Sequence, residues 1–458
     1  MHILSSFVTS WRTLAVISVV LTFACRVPAQ DESPGPDPAY RPTVGTLDLS
    51  DGDSFVFLGD SITHQCLYTQ YVEDFFYTHF PNRRIHFHNA GVGGDRAVDA
   101  LIRFDDDVAA AKPKYVTILL GMNDGRYTKF DDDIFATYRG DMAKVLDRIA
   151  AIGATAIPMT PTMFDSRAAK MRDAGRADNE VRDEFYNGVL ALYGAWLREQ
   201  ALLRGLGFVD MHSPLNQLSM RHRASDPKFT LIEDAVHPGP NGQVVMATAL
   251  LQDLGMGSPV SMLTVDRRRD GWHVHSTDGE VQNQSTGDSL RFSFTAERLP
   301  WVLPPEAALG VDLTHAGRFG FERLRVVGLE PGKYQLKIDD SVVGEFFAGA
   351  LARGVDLQDN PQTPQYQQAL RVALLNKQRN DEAVRPLRGQ WGARKGRRYA
   401  IENAENDQQR GSREAELQAW LPDFEQAVAG FKKAAAEYED QIYQASQPRP
   451  HTYELLQR

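Results

Sequence analysis

Four short stretches bring together residue types that can do acyl-transfer chemistry: Gly59-Asp60-Ser61, Asn89-Ala-Gly-Val-Gly-Gly-Asp95, Gly121-Met-Asn-Asp124 and Asp234-Ala-Val-His237. A serine hydroxyl is a weak nucleophile and needs a base beside it; His237 can take its proton, and Asp234 can hold the imidazole in the required tautomer. The Asp-x-x-His spacing lets one loop deliver both groups. An oxyanion forming on the attacked carbonyl needs donors aimed at it. The Ser61 N–H, the Gly94 N–H and the Asn123 side-chain amide are the candidates. Each signal has a plainer alternative when taken singly. Ser61 alone reads as a helix cap at an ordinary strand-to-helix turn, and an Asp-x-x-His arises by chance about once in a chain with this many of each residue. Gly91-x-Gly93-Gly94 is only loosely like a dinucleotide loop, since it follows the second strand and lacks the full spacing. Their shared order along the chain is what makes them a set.

That order depends on the elements behind them. Apolar runs at 55–58, 84–88, 115–120, 154–159 and 207–210 alternate with helix-like segments at 63–79, 96–111, 134–152 and 178–204, and a last helix covers 239–254. Strands alternating with helices predict βαβ units and a parallel sheet with helices on both faces. In such sheets ligands lie beyond the carboxyl ends of the strands. Three of the four stretches follow strands directly, and the fourth precedes the final helix.

Residues 55–254 resemble the SGNH (GDSL-type) serine hydrolase family in all four of its blocks. Gly59-Asp60-Ser61 is similar to the nucleophile block, Gly94 to the glycine that donates a backbone N–H, Asn123 to the asparagine block and Asp234-x-x-His237 to the last. The resemblance implies a three-layer α/β/α sandwich of flavodoxin-like type with a five-stranded parallel sheet, no cofactor, and ester or thioester hydrolysis. The Gly-Asp-Ser-Ile-Thr and Gly-Gly-Asp versions are closest to members that remove acetyl groups from sugars or small lipids.

With 458 residues, the chain is too long for one compact core. Its net charge of −10 argues against a nucleic-acid binder. Arg12, an apolar run from Leu14 to Ala24 and Val27-Pro28-Ala29 read as a cleaved export signal over 1–29. That run is too short for a membrane anchor, so a secreted or periplasmic protein with no stable membrane span is expected. Cys25 falls within the signal, leaving Cys66 as a lone thiol, expected to be buried. The Pro-rich segment 30–48 reads as a linker or arm, and 49–256 as the hydrolase domain.

Beyond Pro259 the pattern changes. Residues 260–347 alternate apolar and polar positions between turn signals, predicting a small antiparallel β region. Residues 348–458 read as a helical extension, clearest from Pro422 to Gln444, where Phe424, Val428, Phe431, Ala435, Tyr438 and Ile442 form one stripe expected to pack on its own chain. His86 and His88 share a strand face but have no third metal ligand nearby. Asp131–Asp133 is expected to cap a helix, and neither it nor Asp105–Asp107 has a calcium-loop pattern. Arg385 to Arg398 reads as a solvated basic loop, or as a dock for an anionic glycan with Trp391 stacking on a sugar; Trp272 and Trp301 invite the same idea.

The expectation is therefore an exported serine esterase for short acyl esters, with O-acetyl on a carbohydrate favoured, acting on a small-molecule or carbohydrate ester. Two alternatives stand beside it: an acyltransferase using the same triad, or a glycan-binding or surface-assembly protein in which 260–458 is the working part.

Overall fold

The computed structural model describes residues 43–172, 180–257, 259–282 and 290–458. The expected export signal and most of the expected arm lie outside them.

The first part is a parallel α/β sheet. Its strands are β1 (Ser54–Gly59), β2 (His86–Gly91), β3 (Tyr115–Leu119) and β4 (Thr155–Pro158), in the order β2-β1-β3-β4. The helices are α1 (Ser61–His64), α2 (Leu67–His79), α3 (Ala97–Ile102), α4 (Asp132–Ala151), α5 (Ser166–Arg172), α6 (Glu180–Arg204), α7 (His212–Arg223) and α8 (Pro240–Asp253). Phe55 to Leu58 and Val116 are fully buried, as expected of strands covered on both faces. Crossovers are right-handed, so the reversal of direction between β1→β2 and β2→β3 places α2 on one face and α3 and α4 on the other. The contacts of α2 with α8, and of α3 with α4, agree with that division.

The predicted fifth strand shrinks to a single parallel bridge between Met159 and Val209, so among the described residues four strands pair where five were expected. Its shortness has a local cause. The Asp210 carboxylate accepts hydrogen bonds from the N–H groups of His212 (3.0 Å) and Ser213 (2.9 Å), turning the chain into α7 immediately after the bridge. The Asp131 carboxylate caps α4 in the same way, as its position suggested, accepting from Asp133 and Ile134.

The second part holds β5 (Ser261–Arg268), β6 (Gly271–Ser276), β7 (Gly279–Gln282), β8 (Leu290–Ala296), α9 (Ala308–Thr314), β9 (Glu322–Val327), β10 (Lys333–Ile338), β11 (Ser341–Phe347), α10 (Ala348–Arg353) and β12 (Val355–Asp356). Then come α11 (Pro364–Arg379), α12 (Arg385–Glu402), α13 (Asp407–Ser446) and β13 (His451–Gln457). One sheet runs β11-β10-β13-β8-β7 and the other β12-β9-β5-β6, and they share a core built on Val265, Trp272, Phe292, Phe294, Leu336 and Tyr453. Antiparallel sheets and a helical extension are present, with three details the sequence did not show. The β region is not purely antiparallel, because β5 and β9 pair in parallel. The extension is not wholly helical, because its end returns as β13 between β10 and β8. The last helix is also longer than Pro422–Gln444 and carries Pro422 inside it.

The apolar stripe of α13 packs within the chain: Phe424 is buried against Trp391, Leu387 and Val92, and Ile442 joins the main core. Residues 385–402 form a helix, not a loop, and several of its cations are held by carboxylates of the first part. Arg388 meets Asp107, Arg394 meets Asp106 and Arg398 meets Asp99. Trp272, Trp301 and Trp391 are all buried, which removes the sugar-stacking faces proposed for them.

Candidate active site

The site sits where the strand order reverses, beyond the carboxyl ends of β1, β2 and β3. This is the crevice that open α/β sheets use for ligands. β1 ends at Gly59, where glycine is required: a Cβ there would stand 2.1 Å from the Thr63 Oγ1 and 3.0 Å from the Leu119 carbonyl. The chain turns at once into α1, with the buried Asp60 as its cap accepting from the Ile62 N–H at 2.9 Å. Ser61 is thereby placed at the helix start, half-buried, at the top of the sheet. Asn89 fastens this turn to β2, donating to the Thr63 carbonyl at 2.8 Å while its own carbonyl accepts from the Gly91 N–H at 2.9 Å.

His237 arrives on the loop before α8. Its Nε2 lies 2.8 Å from the Ser61 Oγ, and its Nδ1 lies 2.6 Å from the Asp234 Oδ2. The other Asp234 oxygen accepts from the backbone N–H groups of Val236 (2.9 Å) and His237 (2.7 Å), so one carboxylate organises the whole loop. Partial burial pushes the Asp234 carboxyl up, but the hydrogen bonds from the His237 backbone, its ring and the Val236 N–H outweigh it and hold the group below its usual range. Gln243, on α8, ties this loop to the serine turn. Its Nε2 donates to Gln65 (2.8 Å) and to the Pro238 carbonyl (3.2 Å), and its Oε1 accepts from the Tyr68 N–H at 3.0 Å.

Asn123 bridges the other two loops. Its Nδ2 donates to the Asp95 carbonyl at 3.1 Å, beside Gly94, and reaches the Asp60 Oδ2 at 3.4 Å, beside Ser61. Its Oδ1 accepts from the Tyr127 hydroxyl at 3.1 Å, which fixes which end of the amide faces the site. Tyr127 and Arg126 both have φ of +53°, an uncommon strained conformation for two such residues in succession. Gly94 has φ of +69°, a left-handed conformation that glycine adopts without penalty.

Beneath these groups lie carboxylates at Asp60, Asp95 and Asp124, all buried. Burial, with a smaller push from Asp124 and Asp95, raises Asp60 to about 7; burial raises Asp124 to about 7 as well. Burial, with the nearby arginines 388, 385 and 103, lowers His64 to about 4, so it is neutral at pH 7. The Cys66 thiol is buried and pushed up to about 12 by that burial, which makes it unreactive.

The structure thus brings Ser61, His237 and Asp234 into one hydrogen-bonded chain and draws Asn123 to the Gly94 loop. Tyr127, Gln243 and Lys395, whose Nζ donates to the Gly93 carbonyl at 3.1 Å, were not singled out for the site from sequence. The Asn123–Tyr127 spacing of four was the one readable hint. His86 and His88 instead meet Glu439 (3.1 Å) and Asp107 (3.0 Å). Among the described residues, no three His, Cys, Asp or Glu side chains are arranged to hold a metal ion.

Fold and site together define an ester-hydrolysing enzyme. Residues 57–245 match the model of the GDSL-like lipase/acylhydrolase family. An acetylxylan esterase from Geobacillus stearothermophilus is 25% identical over 46% of this chain and 97% of its own length. The solved structure of a gut microbial diltiazem-metabolizing enzyme is 25% identical and matches with a TM-score of 0.75, covering 90% of this chain and 99% of that one. That likeness takes in most of the second part as well as the first. A crystal structure of the Geobacillus stearothermophilus acetylxylan esterase is 22% identical, covers 46% of this chain and 97% of its own, and has a TM-score of 0.37. Among the described residues no helix is long and apolar enough to cross a membrane.

Proposed function

We propose that the protein is an exported serine esterase that hydrolyses short acyl esters, above all O-acetyl groups on carbohydrates. Residues 49–256 are its catalytic unit, with 260–347 and 348–458 as extensions. The observation that carries this reading is the continuous chain Ser61–His237–Asp234, with links of 2.8 and 2.6 Å, at the switch point of the sheet. Ser61 Oγ attacks the ester carbonyl carbon while His237 Nε2 takes its proton. The carbonyl oxygen becomes an oxyanion, received by the N–H groups of Ser61 and Gly94 and the Asn123 amide. Collapse breaks the bond to the alcohol, which leaves with the proton from His237. Water then attacks the acyl-Ser61 ester with His237 again as base, releasing the acid and restoring the hydroxyl. Asp234 keeps Nδ1 protonated and stabilises the imidazolium without taking the proton itself. The apolar run Leu14 to Ala24 supports export, and the acetylxylan esterase relative supports an acetylated glycan as substrate.

The test is hydrolysis of p-nitrophenyl acetate and acetylated xylan by wild type, Ser61→Ala and His237→Ala. Both variants are expected to lose activity by at least about a thousandfold. Turnover that survives in Ser61→Ala would sink the mechanism. Acylated product formed in preference to free acid when sugar acceptors are added would move the assignment to acyl transfer.

A further inference from the structure

Lys395 lies on α12, well outside residues 57–245 that the family model matches, yet its ammonium reaches the candidate oxyanion loop. The Nζ donates to the Gly93 carbonyl at 3.1 Å and to the Asp95 carboxylate at 2.8 Å, and stands 3.8 Å from the Asp99 carboxylate. Its side chain is only 13% exposed. The other Asp95 oxygen is held by Arg103 at 2.8 Å, and Arg103 donates in turn to the carbonyls of Ala90 (2.7 Å) and Gly59 (3.3 Å) at the ends of β2 and β1.

The Gly93 carbonyl and the Gly94 N–H belong to one peptide unit. A trans peptide is planar, with its C=O and N–H pointing in opposite directions, so fixing the oxygen fixes the direction of the N–H. Two glycines in succession leave the backbone with little resistance to rotating that unit. Rotated, it would present a carbonyl dipole where a donor is needed. A cation on the carbonyl oxygen also polarises the peptide, which strengthens its N–H as a donor. The charge matters in a second way. The buried Asp95 carboxylate adjoins this loop, and a negative charge there works against an oxyanion. Lys395 offsets it at close range: its Nζ would lie 3.7 Å from a Cβ placed on Gly94.

We propose that Lys395 is a positioning residue for ester hydrolysis, holding the Gly93–Gly94 peptide so that its N–H faces the oxyanion, and that the C-terminal helical extension thereby completes the active site. This rests on the reading of Ser61 as nucleophile and Gly94 as oxyanion donor. It gives the extension a part in the reaction itself.

The test uses the full chain and p-nitrophenyl acetate, comparing wild type with Lys395→Met, Lys395→Gln, Lys395→Arg, Arg394→Ala and Ser61→Ala. Loss of one oxyanion donor costs about 10²–10³ in kcat, so a misdirected but intact N–H in Lys395→Met is expected to cost about ten- to hundredfold in kcat with KM nearly unchanged. Lys395→Arg, which keeps the charge and the donors, recovers most of the loss. Arg394→Ala cuts a tie of the same helix to Asp106 without touching Gly93, and retains wild-type kcat. If Lys395→Met does not fold, the neutral Lys395→Gln is read by the same criteria. The proposal is overturned if the neutral variant keeps wild-type kcat, if its loss falls in KM alone, or if Arg394→Ala loses as much. Turnover persisting in Ser61→Ala overturns the underlying reading instead, so the two failures are distinct.

Discussion

Replacing Arg388 with Met tests how the C-terminal helices are locked to the hydrolase sheet. Arg388 is fully buried, donates its Nε to the Gly91 carbonyl at 3.0 Å, and grips both oxygens of Asp107 with its two terminal nitrogens, Nη1 at 2.9 Å. Met has a similar stem but no charge. The variant leaves a buried carboxylate with two partners instead of three: Arg103 at 2.5 Å and His88 at 3.0 Å. Breaking a buried pair costs about 3–5 kcal/mol when the remaining charge is stranded; Arg103 still supports Asp107, so the lower end, about 3 kcal/mol at pH 7, is expected. Urea unfolding followed by circular dichroism reads it. The sign of the pH dependence follows from Asp107. Burial raises its carboxyl, but Arg388, His88 and Arg103 together hold it well below the ordinary value. A depressed carboxylate contributes stability that is present above its unfolded pKa and is lost as pH falls through the folded one. Without Arg388 the carboxyl takes up its proton earlier on acidification, so the gap between wild type and variant is widest at neutral pH and narrows in acid. Arg388→Met with Asp107→Asn should be more stable than the two single effects added together, by at least about 2 kcal/mol. A gap under about 1 kcal/mol at pH 7, or one that widens on acidification, would refute the reasoning.

Two further outcomes are expected. Tyr127→Phe removes the hydroxyl that orients Asn123, a hydrogen bond worth about 1 kcal/mol, so kcat on p-nitrophenyl acetate should fall about fivefold with little change in KM. Glu322 is buried, and that burial raises its carboxyl to about 8 from 4.5. A raised carboxyl contributes stability fully present below pH 4.5 and lost as pH climbs through 8. Glu322→Gln should therefore stabilise the protein at pH 8.5 by roughly 3–5 kcal/mol in urea unfolding and change little at pH 4; equal effects at both pH values would contradict this.

How much was legible in the sequence differs between the two parts for physical reasons. Ser61, Gly94, Asn123, Asp234 and His237 stood out as a set because a parallel sheet collects its strand ends at one edge, and the apolar runs that mark β1, β3 and β4 are buried on both faces and hence continuous. The fifth run, Gly207 to Asp210, looked the same over four residues. Asp210 spends its carboxylate on capping α7, which no periodicity reveals. The basic stretch from Arg385 to Arg398 looked solvated because it contains no acid between Glu382 and Glu402. Beside the flanking Asp381 and Glu402, its partners are Asp95, Asp99, Asp106 and Asp107, nearly three hundred positions earlier in the chain, and pairing over that distance leaves no local trace. β13 alternates, with Tyr453 and Leu455 inward, but the pattern lasts only seven residues after a 40-residue helix. The positioning groups Tyr127 and Lys395 act through other residues, so their chemistry carries no motif of its own.

The most direct test of the central claim is covalent trapping. The full chain is treated with diethyl p-nitrophenyl phosphate, an acyl-transfer mimic that phosphorylates an activated serine, and the modified residue is located by peptide mass spectrometry while p-nitrophenyl acetate hydrolysis is followed in parallel. The predicted result is one phosphoryl group on Ser61, with activity lost in step with its incorporation and no labelling in Ser61→Ala. Modification of a different residue accompanying the loss, or hydrolysis that continues once Ser61 is fully modified, would contradict the account.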